Sequence, residues 1–418
     1  MATEKYIVML NKQDKSTLKK VEKEFSVSFF PSEELSKDNR SFNIIDEKNA
    51  VLYQNLGVMV VDNLDVDQLN ASIKNEKSPI VYYEKERSFF PATELELLKE
   101  LKLKAEDFSV KIAELEDFIL NKSLPQKVLT GYEWGLKAIG VDHTQFSGKG
   151  INVCILDTGF DVTHPDFLGR EIEGKSFVEG EDWNVDTFGH GTHCTGVAAG
   201  NLRLENGKRY GIAKDCNLKI GKVLSKNGKG TTSGIIDAID WAIAKKFQVV
   251  SLSLASPVGI NEMPSPLFES IGNKALEQNC LLIAAAGNDS KRPLLPKPVS
   301  APANSNSFMA VAAIDSQMNI ASFSNGGINA ANGGNINVCA PGVGVYSSYP
   351  KKISHSTPYK MMNGTSMATP HVTGLAALYM EKFPTMSAKE IWEILENYAK
   401  PVASSKYRDI GNGLIQIL

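Results

Sequence analysis

The chain has 418 residues, of which 22% are charged and 42% hydrophobic, with 45 Lys and Arg against 48 Asp and Glu and a formal net charge of -3. These are the proportions of an ordinary globular protein, and the length exceeds what one core usually organises, so one large and one small domain are expected. Basic residues are scattered among acids without a Lys/Arg stripe, which argues against a nucleic-acid partner, and no apolar stretch approaches a membrane span.

The N-terminus, MATEKYIVMLNKQDK, contains only the short apolar run IVML, too brief for a signal-peptide core. The five cysteines, Cys154, Cys194, Cys216, Cys280 and Cys339, are odd in number and form no C-x-x-C pair. They read as free thiols, which fits a reducing compartment, so a cytoplasmic location is expected. A chain already trimmed of a leader would read the same and be secreted.

Residues 1–91 alternate YIVML, KSTLKKVEKEF, strands around FNIID and GVMVVD, then DVDQLNASI and IVYYEK. This order predicts a small α+β domain of ferredoxin-like βαββαβ type, with two helices on one face of an antiparallel sheet. Residues 92–131 place Leu98, Leu101, Leu115 and Ile119 among many Lys and Glu, the pattern of an amphipathic helical linker. From 132 to 418 the grammar changes to buried strands, NVCILD, LKIGKVL, QVVSLSL, CLLIAAAGN, FMAVAAID and INVCA, alternating with helical segments such as SGIIDAIDWAIAKK and PLFESIGNKALEQ. That predicts an α/β domain, a doubly wound and mostly parallel sheet with helices on both faces. Working residues in such sheets gather at the carboxyl ends of the strands.

Three residues stand where chemistry would need them. Asp157 ends the run NVCIL before Thr158-Gly159, so a carboxylate emerges where a strand stops. His190 lies in FGHGTHCTGVAAG, at the start of a small-residue helix. Ser366 lies in NGTSMATPHVTGLAAL, at a helix N-terminus that favours negative charge nearby. Taken singly, each reads more readily as a cap or a structural group. Together they supply a nucleophile, a base and a carboxylate to fix the base's tautomer.

The stretches DTGFDVTHPDF, GHGTHCTG, AAAGND and NGTSMATPHV resemble the four signature blocks of the subtilase family, peptidase S8, over roughly residues 132–415. The resemblance implies a serine endopeptidase acting through an acyl-enzyme. His190 would take and return the Ser366 proton, Asp157 would steady the imidazolium, and Asn288 with the Ser366 N–H would hold the oxyanion. It also implies an N-terminal region that acts as an inhibitory propeptide and intramolecular partner. Peptide or unfolded-protein substrate would add as a strand between Gly228-Lys229-Gly230 and Ser253-Leu254-Ala255. Ala255 and Ser300 stand where the family usually has Gly, which predicts a narrowed pocket and small or medium residues at P1, the residue before the scissile bond.

No cofactor is implied for catalysis. Asp166 in HPDF matches a family calcium ligand, so a structural calcium is one possibility. The partner loop NLRLENGKRYGIA is longer than the calcium-binding pattern and carries Arg203, Lys208 and Arg209, which could replace the metal. Cys194, four residues after His190, is placed to lie beneath the imidazole, as in one subgroup of the family. The pair His190 and His193 has no third clustered ligand and does not read as a metal centre. Two alternatives stay open on sequence alone. One is a dedicated maturation protease or peptide ligase with a single peptide substrate; the other is a noncatalytic binding protein whose N-terminal domain permanently fills the cleft.

Overall fold

The computed structural model of the chain describes residues 4–32, 49–92, 131–201, 208–331, 333–354, 357–403 and 405–418. The N-terminal unit runs β1 (Lys5–Leu10), α1 (Lys15–Phe25), β2 (Ser28–Pro31), β3 (Asn49–Tyr53), β4 (Val58–Asp62), α2 (Val66–Lys74) and β5 (Ile80–Lys85). Both helices start on aspartate caps: Asp14 accepts from the Ser16 and Thr17 N–H groups, and Asp65 from those of Asp67 and Gln68. The strands lie in the order β2-β3-β4-β1-β5, antiparallel except for the β2/β3 pair.

Period-two alternation divides this sheet into two faces. Tyr6, Val8, Leu10, Ala50, Leu52, Met59 and Val61 pack on Val21 and Phe25 of α1 and Leu69 of α2. Their neighbours Ile7, Val51, Tyr53, Val58 and Val60 turn the other way and join the core of the large domain. The strand expected around FNIID and the linker helix with Leu98, Leu101, Leu115 and Ile119 lie outside the described residues. Strands β2 and β3 were not foreseen.

After β6 (Ser88–Pro91), the large domain comprises β7 (Gly131–Tyr132), α3 (Trp134–Ala138), β8 (Asn152–Asp157), β9 (Glu173–Ser176), α4 (His190–Ala199), β10 (Lys208–Arg209) and β11 (Asn217–Lys222). It continues with β12 (Gly230–Thr231), α5 (Thr232–Ala244), β13 (Val249–Leu252), β14 (Leu254–Ala255), α6 (Pro266–Glu277), β15 (Leu281–Ala285), β16 (Met309–Ile314) and β17 (Val338–Pro341). Hairpin β18 (Val345–Ser348) and β19 (Tyr359–Met362) precedes α7 (Thr365–Lys382) and α8 (Ala388–Asn397).

Seven parallel strands form the central sheet in the order β17-β16-β15-β13-β8-β11-β9. Strands β13, β15, β16 and β17 are buried at every residue, as a sheet covered on both faces requires. Helices α4 and α7 pack on each other and on this sheet, and α5 and α6 lie against β8 and β15. The α/β class read from the sequence is the observed one.

The N-terminal sheet docks on the outer side of α5 and α6, with polar bonds among the apolar contacts. Ser32 Oγ donates to Asp240 Oδ2 at 2.9 Å, Ser265 Oγ to Glu84 Oε2 at 2.6 Å, and Lys274 Nζ to the Leu56 carbonyl. Arg87 pairs with Glu262 at 2.9 Å.

Candidate active site

Asp157 is the last residue of β8 and is 1% exposed. The turn after it needs Gly159, whose φ is +106° and where a Cβ would lie 2.9 Å from the Val185 carbonyl. The carboxylate is aimed from both sides: Thr158 N donates to Asp157 Oδ1 at 2.7 Å, and His190 Nδ1 lies 2.7 Å from the same oxygen. His190 opens α4. A Cβ on Gly191 would lie 2.1 Å from the Gly159 carbonyl, so the helix start can approach the β8 turn only with glycine there.

Asp186 fastens these two segments together. It accepts from Thr158 Oγ1 at 2.9 Å, Gly189 N at 2.8 Å, and Thr192 N and Oγ1 at 2.8 and 2.7 Å. Burial raises its pKa, against the pull of the Gly189 and Thr192 hydrogen bonds. Cys194 Sγ sits one helical turn on, 3.8 Å from both His190 ring nitrogens. Burial, and then the Asp157 charge, push that thiol well above its ordinary value, so it packs under the imidazole as a neutral group.

Ser366 is the second residue of α7 and is fully buried. Its hydroxyl donates to the Ser253 carbonyl at 2.9 Å, and Ser253 Oγ donates back to the Ser366 carbonyl at 2.9 Å. The proton that a triad would pass to His190 is thus engaged with Ser253 in this structure. Asn288 follows the carboxyl end of β15. Its Oδ1 accepts from Thr365 N and Thr365 Oγ1, each at 3.0 Å, which turns Nδ2 the other way; Nδ2 is buried with no partner. Thr365 Oγ1 also accepts from Gly287 N at 3.1 Å, so one threonine fixes both the amide and its loop. A buried, unpaired donor is costly. The next amide of α7, Ser366 N–H, sits at the helix start with no partner inside the helix.

The cleft is filled by the chain itself. Strand β6 lies antiparallel between β12 and β14, with Phe89 opposite Gly230, Ser88 opposite Thr231, Pro91 opposite Leu254 and Phe90 opposite Ala255. Ala92 N donates to the Ser253 carbonyl at 3.3 Å, and the Ala92 carbonyl accepts from Ser366 N at 3.2 Å. The Ala92 methyl packs on Ala255 and Ala285. Phe89 is fully buried, edge-on to Phe268 at 5.8 Å between centroids. Gly228 has φ +73°, and a Cβ there would lie 3.3 Å from Pro91 Cδ. Lys229 is exposed, and its carbonyl accepts from Ser225 N at 2.9 Å. Ser300 is buried behind this region, accepting from Asn325 Nδ2 at 3.2 Å; a Cβ on Gly287 would meet its Oγ at 2.4 Å.

Asp166 lies apart from this cleft, and both its oxygens are taken: Oδ2 accepts from Tyr210 at 2.6 Å and Oδ1 from Tyr359 at 3.0 Å. Arg209 donates to the carbonyls of Gly211 at 3.1 Å and Ile212 at 2.9 Å. Two hydroxyl donors thus occupy the Asp166 oxygens, and a guanidinium occupies the nearby carbonyls. Arg203 and the Lys208 side chain lie outside the described residues.

Among the described residues, the one grouping of three His, Cys, Asp or Glu ligand atoms is Asp157, His190 and Cys194. His193 instead directs Nε2 to the Val345 and Lys360 carbonyls at 3.0 Å, and burial lowers its pKa to about 3. All five cysteines are free and buried, and no helix of the described residues is long and apolar enough to cross a membrane.

Sequence reasoning missed Asp186, Thr365, Ser253's double bond to Ser366 and the role of the Ser88–Ala92 segment. The segment reads SFFPA, ending in a small residue of the kind expected at P1. That was the available signal.

A sequence profile described as the Subtilase family matches residues 148–413. Subtilisin DY of Bacillus licheniformis is 38% identical over 288 residues, covering 68% of this chain and 96% of that one. The thermostable alkaline protease of Halalkalibacterium halodurans is 31% identical over 385 residues, 91% of each chain. A solved structure of a cold adapted subtilisin-like serine proteinase has a TM-score of 0.56 and 30% identity, covering 69% of this chain and 98% of that one. With a family match over most of its length and relatives spanned nearly end to end, the chain belongs to the subtilase family and is a serine endopeptidase.

Proposed function

We propose that this endopeptidase is made as a zymogen that cuts itself at Ala92–Thr93, after which residues 1–92 remain as an inhibitor until released. The observation that carries the reading is the seating of Ala92: its carbonyl lies on the Ser366 N–H, at the end of a strand hydrogen-bonded on both edges. Strand addition of this kind selects extended peptide and gives a defined register.

In this reading Ser366 Oγ turns from the Ser253 carbonyl to His190 and attacks the Ala92 carbonyl carbon. His190 takes the hydroxyl proton while Asp157, still ionised, holds Nδ1–H and steadies the imidazolium. The oxyanion falls between the Ser366 N–H and Asn288 Nδ2, whose freedom from any partner matches a donor kept for developing charge. His190 then protonates the Thr93 amine, the C–N bond breaks, and water repeats the sequence on the Ala92 ester. Small residues are favoured at P1, because Ala255 and Ala285 close on the Ala92 methyl. Asp166 accepts from the Tyr210 and Tyr359 hydroxyls. Five buried free thiols suit a reducing compartment.

The test is the intact mass of the wild-type chain and of Ser366→Ala after the same incubation at neutral pH. The expected outcome is loss of residues 1–92 from the wild type alone. A wild type that stays whole, or a cut in both, would end this reading.

A further inference from the structure

Lys222 is the last residue of β11 and pairs in register with Asp157 of β8. Its side chain is 2% exposed, a rare place for an ammonium. Nζ donates to the Thr158 carbonyl and lies 3.1 Å from Glu181 Oε2. The same Glu181 oxygen accepts from Lys226 N at 2.8 Å. Lys226 belongs to the turn that Ser225 N closes on the Lys229 carbonyl, and that turn leads into Gly230, the partner of Phe89. On the inner side, Thr158 N donates to Asp157 Oδ1, the oxygen that His190 Nδ1 meets. One polar chain therefore runs from the edge that binds the extended strand to the carboxylate behind the imidazole.

A buried ion pair is a weak source of stability, since desolvation offsets most of the attraction. Its location is the informative part. We infer that Lys222 and Glu181 are positioning residues for proteolysis: Lys222 holds the carbonyl of Thr158, the residue whose N–H aims Asp157, and places a charge behind the Asp157–His190 pair, and Glu181 ties that charge to the substrate-binding turn. The inference rests on the reading of Asp157, His190 and Ser366 as the triad.

The other groups facing His190 are Asp157 on β8, Asp186 on the loop before α4, Asp161 behind Thr192, and His193 and Cys194 on α4 itself, with Lys360 beyond His193 on β19. Burial keeps His193 and Cys194 neutral, and strand β6 brings no charge. Of the pair, a cation disfavours the imidazolium and an anion favours it. Removing Lys222 must then move the acid limb of activity to higher pH, and removing Glu181 must move it lower. A purely structural role predicts no such opposition.

The experiment is kcat/KM against pH for a chromogenic peptide ending in Ala, using full chains allowed to process, for wild type, Lys222→Met, Glu181→Gln and the double variant. The acid limb should rise by about 0.5 pH unit in Lys222→Met, fall by about as much in Glu181→Gln, and return close to wild type in the double variant. Lys222→Met should lower kcat more than it raises KM; Glu181→Gln, which frees the Lys226 turn, should do the reverse. Midpoints that stay put or move together would overturn the inference. Should Lys222→Met fail to fold, the partly exposed Glu181→Gln decides alone by the direction of its shift. Ser366→Ala run in parallel separates the two claims. Turnover surviving in it removes the triad and this inference together, whereas an inactive Ser366→Ala with unmoved midpoints removes this inference only.

Discussion

The N-terminal sheet and the central sheet both bury apolar residues on two faces, but by different means. Helices of the large domain itself cover the central sheet, and its interior strands carry apolar residues throughout. The N-terminal sheet supplies helices for one face only. On the other, Ile7, Val51, Tyr53, Val58 and Val60 complete their burial against the large domain, across a seam that includes Ser32–Asp240, Ser265–Glu84 and Arg87–Glu262. The large domain is thus closed on its own account, while the small one borrows half its core. A borrowed core with polar bonds through it suits a part that stays docked and later leaves.

The largest expected effect tests the large domain alone. Asn288→Ala should slow self-processing by about two to three orders of magnitude, the loss established for the corresponding donor in subtilisin, while amide exchange in both sheets stays unchanged. Measuring the two together keeps chemistry apart from docking.

Phe89→Ala in a Ser366→Ala background probes the seam. Truncating a buried Phe costs about 3 kcal/mol or more, so exchange of the β1–β5 amides should quicken roughly a hundredfold while β13–β16 amides hold. Equal acceleration in both sheets would show that the two domains unfold as one, against the contrast drawn above.

Acid should separate the halves further. His193 and His371 are buried, and burial lowers their pKa values to about 3 and about 4. Unfolded, each would titrate near 6.5, so their contribution is complete above that pH. It is lost as pH falls toward the folded values, by about 1.4 kcal/mol per pH unit for each histidine. Urea midpoints between pH 7 and 4.5 should fall accordingly for the large domain, and His371→Leu should flatten the slope.

Thr365→Val removes the hydroxyl that orients Asn288 and accepts from Gly287. A loss of roughly tenfold in kcat with little change in KM is expected, the scale of one buried hydrogen bond.

Smallest is Glu84→Gln. Burial raises the Glu84 pKa, so its contribution to docking is full below the ordinary carboxylate range and lost as pH rises through the raised value. The neutral amide should hold the N-terminal unit a few-fold longer at neutral pH, read as the lag before peptide hydrolysis begins; a shorter lag would refute the assignment.

Much of this was legible because period and spacing carry it. Runs such as CLLIAAAGN and FMAVAAID are buried parallel strands wherever they occur between helices, and Asp157, His190, Asn288 and Ser366 sit at strand ends and helix starts that local sequence marks. Asp186 was invisible because its partners, Thr158, Gly189 and Thr192, converge only once β8 and α4 are packed. The tyrosine partner of Asp166, Tyr359, lies nearly two hundred residues away in sequence, and no inspection of the HPDF motif could supply it. Strands β2 and β3 were missed because SFFP and NAVLY are short and lack clear alternation; pairing onto β4, with β3 between β4 and the edge strand β2, rather than local pattern, makes them strands.

Strand β6 has one more consequence. Ladder bonds on both of its edges fix its register, so under the proposed self-cleavage the chain would count residues rather than choose among bonds. A slip of one place would present Pro91 or Thr93 to Ser366, the first unable to donate the N–H that Ala92 gives to Ser253, the second β-branched where a methyl group fits. Inserting a single residue between β5 and β6 would therefore not shorten or lengthen the product by one; it would be absorbed as a bulge upstream, and the same alanine would still be delivered to the serine.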